Sequence, residues 1–115
     1  MSLTIYHNSR CSKSRQTLKL IEEAGITPNI VEYLKTPLSE GELRQIIAQL
    51  GFESPQQLMR TGEAIYKELG LKGEMDEKRL MAAMLSHPKL IERPIVTNGK
   101  RAILGRPPEA VTALF

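Results

Sequence analysis

The sequence predicts an α/β fold in one domain spanning residues 1–115, and three observations carry that prediction. A strand, a helix and a second strand are predicted in the first third, helices fill the middle, and two strands and a helix follow. Strand, helix and strand in so short a stretch predict a parallel βαβ unit with a right-handed crossover. The 115 residues show no repeat, linker or low-complexity segment that would indicate a second domain.

Local sequence patterns predict each element of the βαβ unit. Residues 3–7 are apolar and typical of a strand. A helix is predicted over residues 14–24, because Leu18 and Ile21 are three apart and Gly25 follows its end. Residues 29–34 are rich in β-branched side chains, which favours a second strand.

Several short helices are predicted in the middle of the chain, over residues 39–50, 54–59, 63–69 and 76–87. Ser39 and Glu42 have the spacing of a capping box. Ser54 followed by Pro55 is typical of an N-cap and a first helical residue, and Asp76 is a further N-cap candidate.

The last part of the chain predicts a ββα unit. Residues 94–97 and 101–104 read as strands joined through Asn98 and Gly99, a strong hairpin signal, and a last helix is predicted over residues 109–114.

A βαβ unit followed by a ββα unit is the order of the thioredoxin-like fold, here with a helical insertion at about residues 39–87. In that fold a cis-proline opens the third strand beside the redox cysteine, and Pro94 is placed to be that residue. Only about one X–Pro bond in twenty is cis, so the Arg93-Pro94 dipeptide alone would not predict a cis bond. The prediction depends on the topology.

The one cysteine, Cys11, stands between the first strand and the first helix. Unpaired N–H groups and the helix dipole favour an anion there, which lowers a thiol pKa. The neighbouring Arg10, Lys13 and Arg15 add positive charge. A buried cysteine acting as a small hydrophobe is the alternative, but the polar flanks favour a reactive thiol.

No second cysteine can resolve a mixed disulfide, because Ser14 occupies the fourth position of the Cys-x-x-Cys pattern. A catalytic Cys11 would therefore need an external thiol such as glutathione. A phosphatase loop is excluded, since it needs an arginine six positions after the cysteine and residue 17 is Thr17.

Arg60, Arg93 and Arg106 lie near the ends of predicted elements, where a side chain can reach across a cleft. A tetrahedral oxyanion needs several planar, permanently charged donors, which guanidinium groups supply. Isolated arginines are more often solvated, so convergence of the three on Cys11 is a hypothesis.

Composition narrows the function classes. The net charge is +3, but basic and acidic residues are interleaved, which predicts no nucleic-acid partner. No apolar run is long enough to cross a membrane and no leader is visible, and one cysteine suits a reducing compartment, so a cytoplasmic protein is predicted. No cluster has metal-ligand spacing, so no metal is expected.

The chain resembles the ArsC family of glutaredoxin-linked arsenate reductases, in particular its short YfgD-like branch. The resemblance rests on several motifs in the same order, at residues 5–11, 33–37, 58–60, 66–71, 87–88, 92–96 and 105–107. It implies the thioredoxin-like fold with a helical insertion.

The resemblance also implies an activity: reduction of arsenate to arsenite, as in arsenical resistance. It implies glutathione as co-substrate and glutaredoxin as partner. No bound cofactor and a monomeric state are also expected. The residues matched to catalytic roles are the nucleophile and three oxyanion ligands: Cys11, Arg60, Arg93 and Arg106. The residues matched to support of the nucleophile are His7, Asn8, Ser14 and Arg15.

The chain departs from the better-studied reductases at Ser9, where they have proline, and it ends at Phe115, where they carry a longer tail. His7 is expected to lower the Cys11 pKa when it is protonated, and the alternative is a histidine satisfied by a backbone group. Two alternative functions also remain at this point. One is a redox-sensitive regulator that binds RNA polymerase, as the related Spx proteins do, although Ser14 replaces their second switch cysteine. The other is a monothiol, glutathione-dependent oxidoreductase with a different substrate.

Overall fold

Two units make up the computed structural model, which describes residues 2–115. An α/β unit comprises residues 2–36 and 93–115, and a helical unit comprises Pro37–Glu92. The helical unit contains the predicted insertion and extends past it at both ends. That the chain forms a single domain stays a prediction.

The α/β unit contains one four-stranded sheet in the order β2-β1-β3-β4. Its strands are β1 (Thr4–Tyr6), β2 (Asn29–Val31), β3 (Ile95–Thr97) and β4 (Ala102–Leu104). β1 pairs parallel with β2 and antiparallel with β3, and β3 pairs antiparallel with β4. Helix α1 (Ser12–Glu23) connects the parallel pair. This is the predicted thioredoxin-like arrangement, with its βαβ and ββα halves joined through β1 and β3.

One apolar core holds the α/β unit together. Ile5 and Val96 of the sheet, Ile21 of α1, and Val111 and Leu114 from the end of the chain form a buried cluster. At about 1.5–3 kcal/mol for each fully buried aliphatic side chain, this cluster is the main stabilising contribution within the unit.

Two elements of this unit differ from the prediction. The second strand ends at Val31 rather than Leu34, because the backbone N–H groups of Lys35 and Thr36 turn back to the Glu32 carbonyl. The last helix is a 3₁₀ helix, Pro108–Leu114, rather than an α-helix. A segment this short forms few of the hydrogen bonds between residues four apart that define an α-helix. Hydrogen bonds between residues three apart, which define a 3₁₀ helix, compete with them.

The helical unit follows its predicted caps. Its α-helices are α2 (Glu40–Leu50), α3 (Ala64–Glu68) and α4 (Glu77–Ser86), and its 3₁₀ helices are Pro55–Leu58 and Pro88–Leu90. The Glu42 N–H donates to Ser39 Oγ at 3.1 Å and the Ser39 N–H donates to Glu42 Oε1 at 3.0 Å, so the capping box is confirmed. The Lys78 N–H donates to Asp76 Oδ1 at 3.0 Å, which confirms that N-cap.

Helix α4 is central to the helical unit, where it contacts α2 and both 3₁₀ helices. Leu80 and Met84 on α4 are fully buried, as are Leu43 on α2, Leu58 and Leu90. In the part of the chain that the structure describes, no helix combines the length and apolarity needed to cross a bilayer.

Candidate active site

Cys11 is the N-cap of α1, with extended backbone angles before the first helical turn. The Arg15 N–H donates to its carbonyl at 3.1 Å, so the helix begins where the reactive thiol was predicted. The side chain is partly exposed. A thiol in this position faces the N–H groups that have no partner inside the helix.

Asn8 and Ser14 fix the loop before the thiol. The Cys11 N–H donates to the Asn8 carbonyl and the Arg10 N–H donates to Asn8 Oδ1, both at 3.0 Å. The Asn8 N–H donates to Oγ of Ser14, which is fully buried, at 3.3 Å. Arg15 adds a bond from Nη1 to the Ser9 carbonyl at 2.9 Å.

The surroundings of Cys11 change its acidity. Burial raises the pKa of the thiol, but the backbone N–H groups of Ser14 and Lys13 and the Arg93 guanidinium lower it, and the net effect is a pKa below the ordinary value. The thiolate is therefore more populated at neutral pH than that of an isolated cysteine. Each of these groups stabilises the negative charge once it has formed.

The source of the positive charge differs from the prediction. The side chains of Arg10, Lys13 and Arg15 were expected to lower the thiol pKa; Arg93 does so instead, and Lys13 contributes through its backbone. One of the three has another partner, because Arg15 Nη1 donates to the Ser9 carbonyl at 2.9 Å.

Arg93 and Arg106 lie with Cys11 in the α/β unit. Each precedes a cis-proline, Pro94 and Pro107. The second cis bond was not predicted. Arg106 Nε donates to the Arg93 carbonyl at 2.9 Å, and its Nη2 lies 3.9 Å from Cys11 Sγ. Two guanidinium groups and one thiol thus form a single cluster.

Gly105, which the sequence analysis did not single out, determines how the chain reaches Arg106. Its N–H donates to the Pro94 carbonyl at 2.9 Å. A Cβ at this position would lie 2.5 Å from Thr17 Oγ1 and 2.6 Å from Pro94 Cγ, closer than real Cβ contacts allow. A glycine at the end of a strand is typical of such a close approach, and that was the available signal.

Arg60 lies in the helical unit and forms ion pairs with two carboxylates of that unit. Its Nη1 is 2.8 Å from Glu92 Oε1, and its Nε is 3.4 Å from Glu63 Oε1. Its backbone N–H donates to the Leu90 carbonyl at 2.7 Å. These contacts hold the Arg60 side chain and offset its charge.

His7 is buried at the end of β1, and its Nδ1 makes no hydrogen bond with any residue that the structure describes. Burial lowers the pKa of His7; Glu32 opposes that change and Arg15 adds to it. The imidazole of His7 is therefore neutral at neutral pH. The hypothesis that a protonated His7 lowers the Cys11 pKa therefore finds no support.

Within residues 2–115 there is no group of three or more His, Cys, Asp or Glu side chains that could hold a metal ion. The chemistry available at the cluster is that of a thiolate nucleophile beside planar cationic donors. Such a site can attack an electrophilic centre and hold the oxygens of an anion.

Known proteins are similar to this chain in sequence and in fold. The model of the ArsC family matches residues 6–114. The chain is 48% identical to "Arsenate reductase" of Haemophilus influenzae, over 100% of both chains. It is 50% identical to "Uncharacterized protein YfgD" of Escherichia coli, over 93% of this chain and 91% of that one. Among solved structures, "Arsenate reductase from Vibrio cholerae" superposes with a TM-score of 0.95 at 50% identity, over 100% of this chain and 98% of the other.

Proposed function

This chain belongs to the ArsC family, and we propose that it reduces arsenate to arsenite with Cys11 as the nucleophile. The observation that carries the proposal is the cluster in the α/β unit. It combines a thiol of lowered pKa with an Arg106 guanidinium 3.9 Å from its sulfur. Relatives named arsenate reductase, similar to this chain along its whole length, support the choice of substrate.

The reaction starts when the Cys11 thiolate attacks pentavalent arsenic. A sulfur–arsenic bond forms, and one arsenic–oxygen bond breaks, its oxygen leaving as water. Two electrons must then reach arsenic to give arsenite. In the overall balance two external thiols supply them, each losing one electron and one proton, and end as one disulfide.

The arginines hold the oxyanion in this proposal. Arsenate is an anion at neutral pH, and its oxygens carry more charge as the thiolate adds. We propose that Arg93 and Arg106 stabilise that charge, and the contact of Arg106 with both Cys11 and Arg93 supports this role. Preorganised donors lower a barrier most where charge builds up. Arg60 is proposed as the third oxyanion ligand on the strength of the family resemblance, and its role is tested kinetically.

The remaining residues support the nucleophile. Asn8 and Ser14 keep the loop in the conformation that presents Cys11 to the substrate, and Arg15 holds the Ser9 carbonyl. His7 is proposed to serve as a neutral, buried support beneath this loop.

The cysteine count supports the use of external electron donors, and the family resemblance suggests which ones. The chain has one cysteine, so it cannot complete the cycle with an internal disulfide. We propose glutathione as co-substrate and glutaredoxin as the partner that resolves the mixed disulfide. A single reactive thiol is suited to a reducing compartment, so we propose that the chain acts in the cytoplasm. We also propose that it acts as a monomer.

The test is arsenite production by the purified chain supplied with arsenate, glutathione and glutaredoxin. Cys11→Ser should abolish it, and Arg93→Gln or Arg106→Gln should lower kcat by about 100-fold, the cost of losing a preorganised donor. Arg60→Gln should reduce kcat/KM. Arg44→Gln is the matched control, since Arg44 pairs with Glu40 at the surface of α2.

Undiminished turnover by Cys11→Ser would reject the proposal. If the wild-type chain makes no arsenite but reduces glutathione mixed disulfides, the monothiol alternative is correct. Binding of RNA polymerase without turnover would favour the regulator.

A further inference from the structure

A cavity in the helical unit has no part in the proposed reaction. Its volume is about 570 Å³, within the range of roughly 300–1,000 Å³ that small organic ligands occupy. Its lining residues are Thr61, Tyr66, Lys67, Gly70 and Lys72, a set with two cations and no carboxylate.

The two lysines are available to a ligand. In the part of the chain described, neither Lys67 nor Lys72 makes an ion pair. Two carboxylates that are close to these lysines in sequence are paired with arginines, Glu63 with Arg60 and Glu74 with Arg79. The positive charge of the cavity is therefore not neutralised by those groups.

The wall of the cavity is built by hydrogen bonds that do not depend on a ligand. Tyr66 is buried, and its hydroxyl donates to Gln56 Oε1 at 3.0 Å. Gln56 Nε2 in turn donates to the Leu71 carbonyl at 2.6 Å. This chain of bonds fixes the loop that carries Lys72 against the end of α3. Gly70, with a φ of 63°, makes the turn between them.

We propose that this cavity binds a small organic molecule that carries two carboxylate groups, through Lys67 and Lys72. Two separate ammonium groups can each pair with one carboxylate, which a single ammonium group cannot do. The Tyr66 ring offers an apolar wall to the rest of the molecule. The inference does not rest on arsenate reduction, because it uses residues of the helical unit only.

The probe is S-methylglutathione, a tripeptide with two carboxylates whose capped sulfur cannot react with Cys11. It is titrated into the full isotope-labelled chain, and backbone amide shifts are followed by NMR. The amides of Thr61, Lys67, Gly70 and Lys72 should move together. Affinity should fall with added salt, because screening weakens contacts with exposed charges.

The variants locate the binding. The double variant Lys67→Gln/Lys72→Gln should weaken binding about tenfold, the combined effect of two exposed charge contacts. Lys78→Gln, which changes an exposed lysine on α4 outside the cavity, should bind as the wild type does. If the double variant does not fold, the single variant Lys72→Gln, in a loop, should still weaken binding about threefold.

Four results would overturn the proposal. These are no shift at the cavity, equal binding by the variants, equal binding by the dimethyl ester of the probe, or equal binding by inorganic phosphate. A failure of the chain to produce arsenite would not affect these binding measurements, because the probe takes no part in redox chemistry.

Discussion

Replacing Gly105 by alanine should destabilise the α/β unit and disturb the thiol at the same time. The added Cβ would stand 2.5 Å from Thr17 Oγ1 and 2.6 Å from Pro94 Cγ. Both neighbours are buried, and the Gly105 N–H is held to the Pro94 carbonyl at 2.9 Å. The chain after β4 must therefore move, and this movement would displace Arg106, the next residue.

The magnitude follows from the overlap. Carbon atoms pack best about 3.5–4.0 Å apart, so the new methyl group overlaps Pro94 by about 1 Å. Overpacking of this kind costs about 1–3 kcal/mol. For a domain of this size, that lowers the thermal midpoint by roughly 4–8 °C per kcal/mol. Displacement of Arg106 should also break its 3.9 Å contact with the Cys11 sulfur.

Denaturant unfolding of purified variants measures the cost. Gly41→Ala is the matched control, because its Cβ would meet only Ser39 Oγ, at 4.0 Å, and alanine in a helix stabilises by up to about 1 kcal/mol. Thr17→Ala combined with Gly105→Ala should recover part of the loss, since it removes one of the two contacts. Wild-type stability for Gly105→Ala, or strict additivity in the double variant, would show that Gly105 does not make this close approach.

Three further predictions concern acidity and capping. Arsenate reduction should decline as the pH falls through the lowered pKa of Cys11, and Arg93→Gln should move that decline to higher pH in a pH–rate profile; an unmoved profile would contradict the role of Arg93. The pKa of His7 is lowered in the folded state, so its contribution to stability is complete above about pH 6.5 and is lost as the pH falls from there through the folded pKa. His7→Gln should remove this pH dependence of the unfolding free energy, and an unchanged dependence would count against it. Ser39→Ala should lower the free energy of unfolding by about 1 kcal/mol, because it breaks the capping box of α2, and denaturant midpoints equal to wild type would exclude that.

Local signals predicted most of the fold. Three of these signals involve residues within a few positions of one another: the capping box at Ser39, the N-cap at Asp76 and the hairpin at Asn98–Gly99. Residues this close in sequence are also close in the folded chain, so their contacts can be predicted from the sequence. The exceptions are short segments. The end of β2 and the 3₁₀ geometry of Pro108–Leu114 depend on where the chain turns next, which propensity alone does not determine.

The site was predicted in part. A cysteine between a strand and a helix predicted the N-cap position of Cys11, because that inference needs only local order. The cation that lowers its pKa, Arg93, is more than eighty residues away in sequence, so only the pairing of β1 with β3 brings it near. Gly105 was missed for the same reason. Its constraint comes from Thr17 and Pro94, which are remote in sequence and adjacent in the fold.

The acidity of the Cys11 thiol is the most direct test of the central claim, that Arg93 and the start of α1 hold an ionised sulfur ready to attack an oxyanion. The thiolate is titrated by its ultraviolet absorbance in the wild type, in Arg93→Gln and in the Arg44→Gln control. We expect a pKa below that of an ordinary cysteine for the wild type and the control, and a higher value for Arg93→Gln. An ordinary cysteine pKa in all three proteins would contradict it.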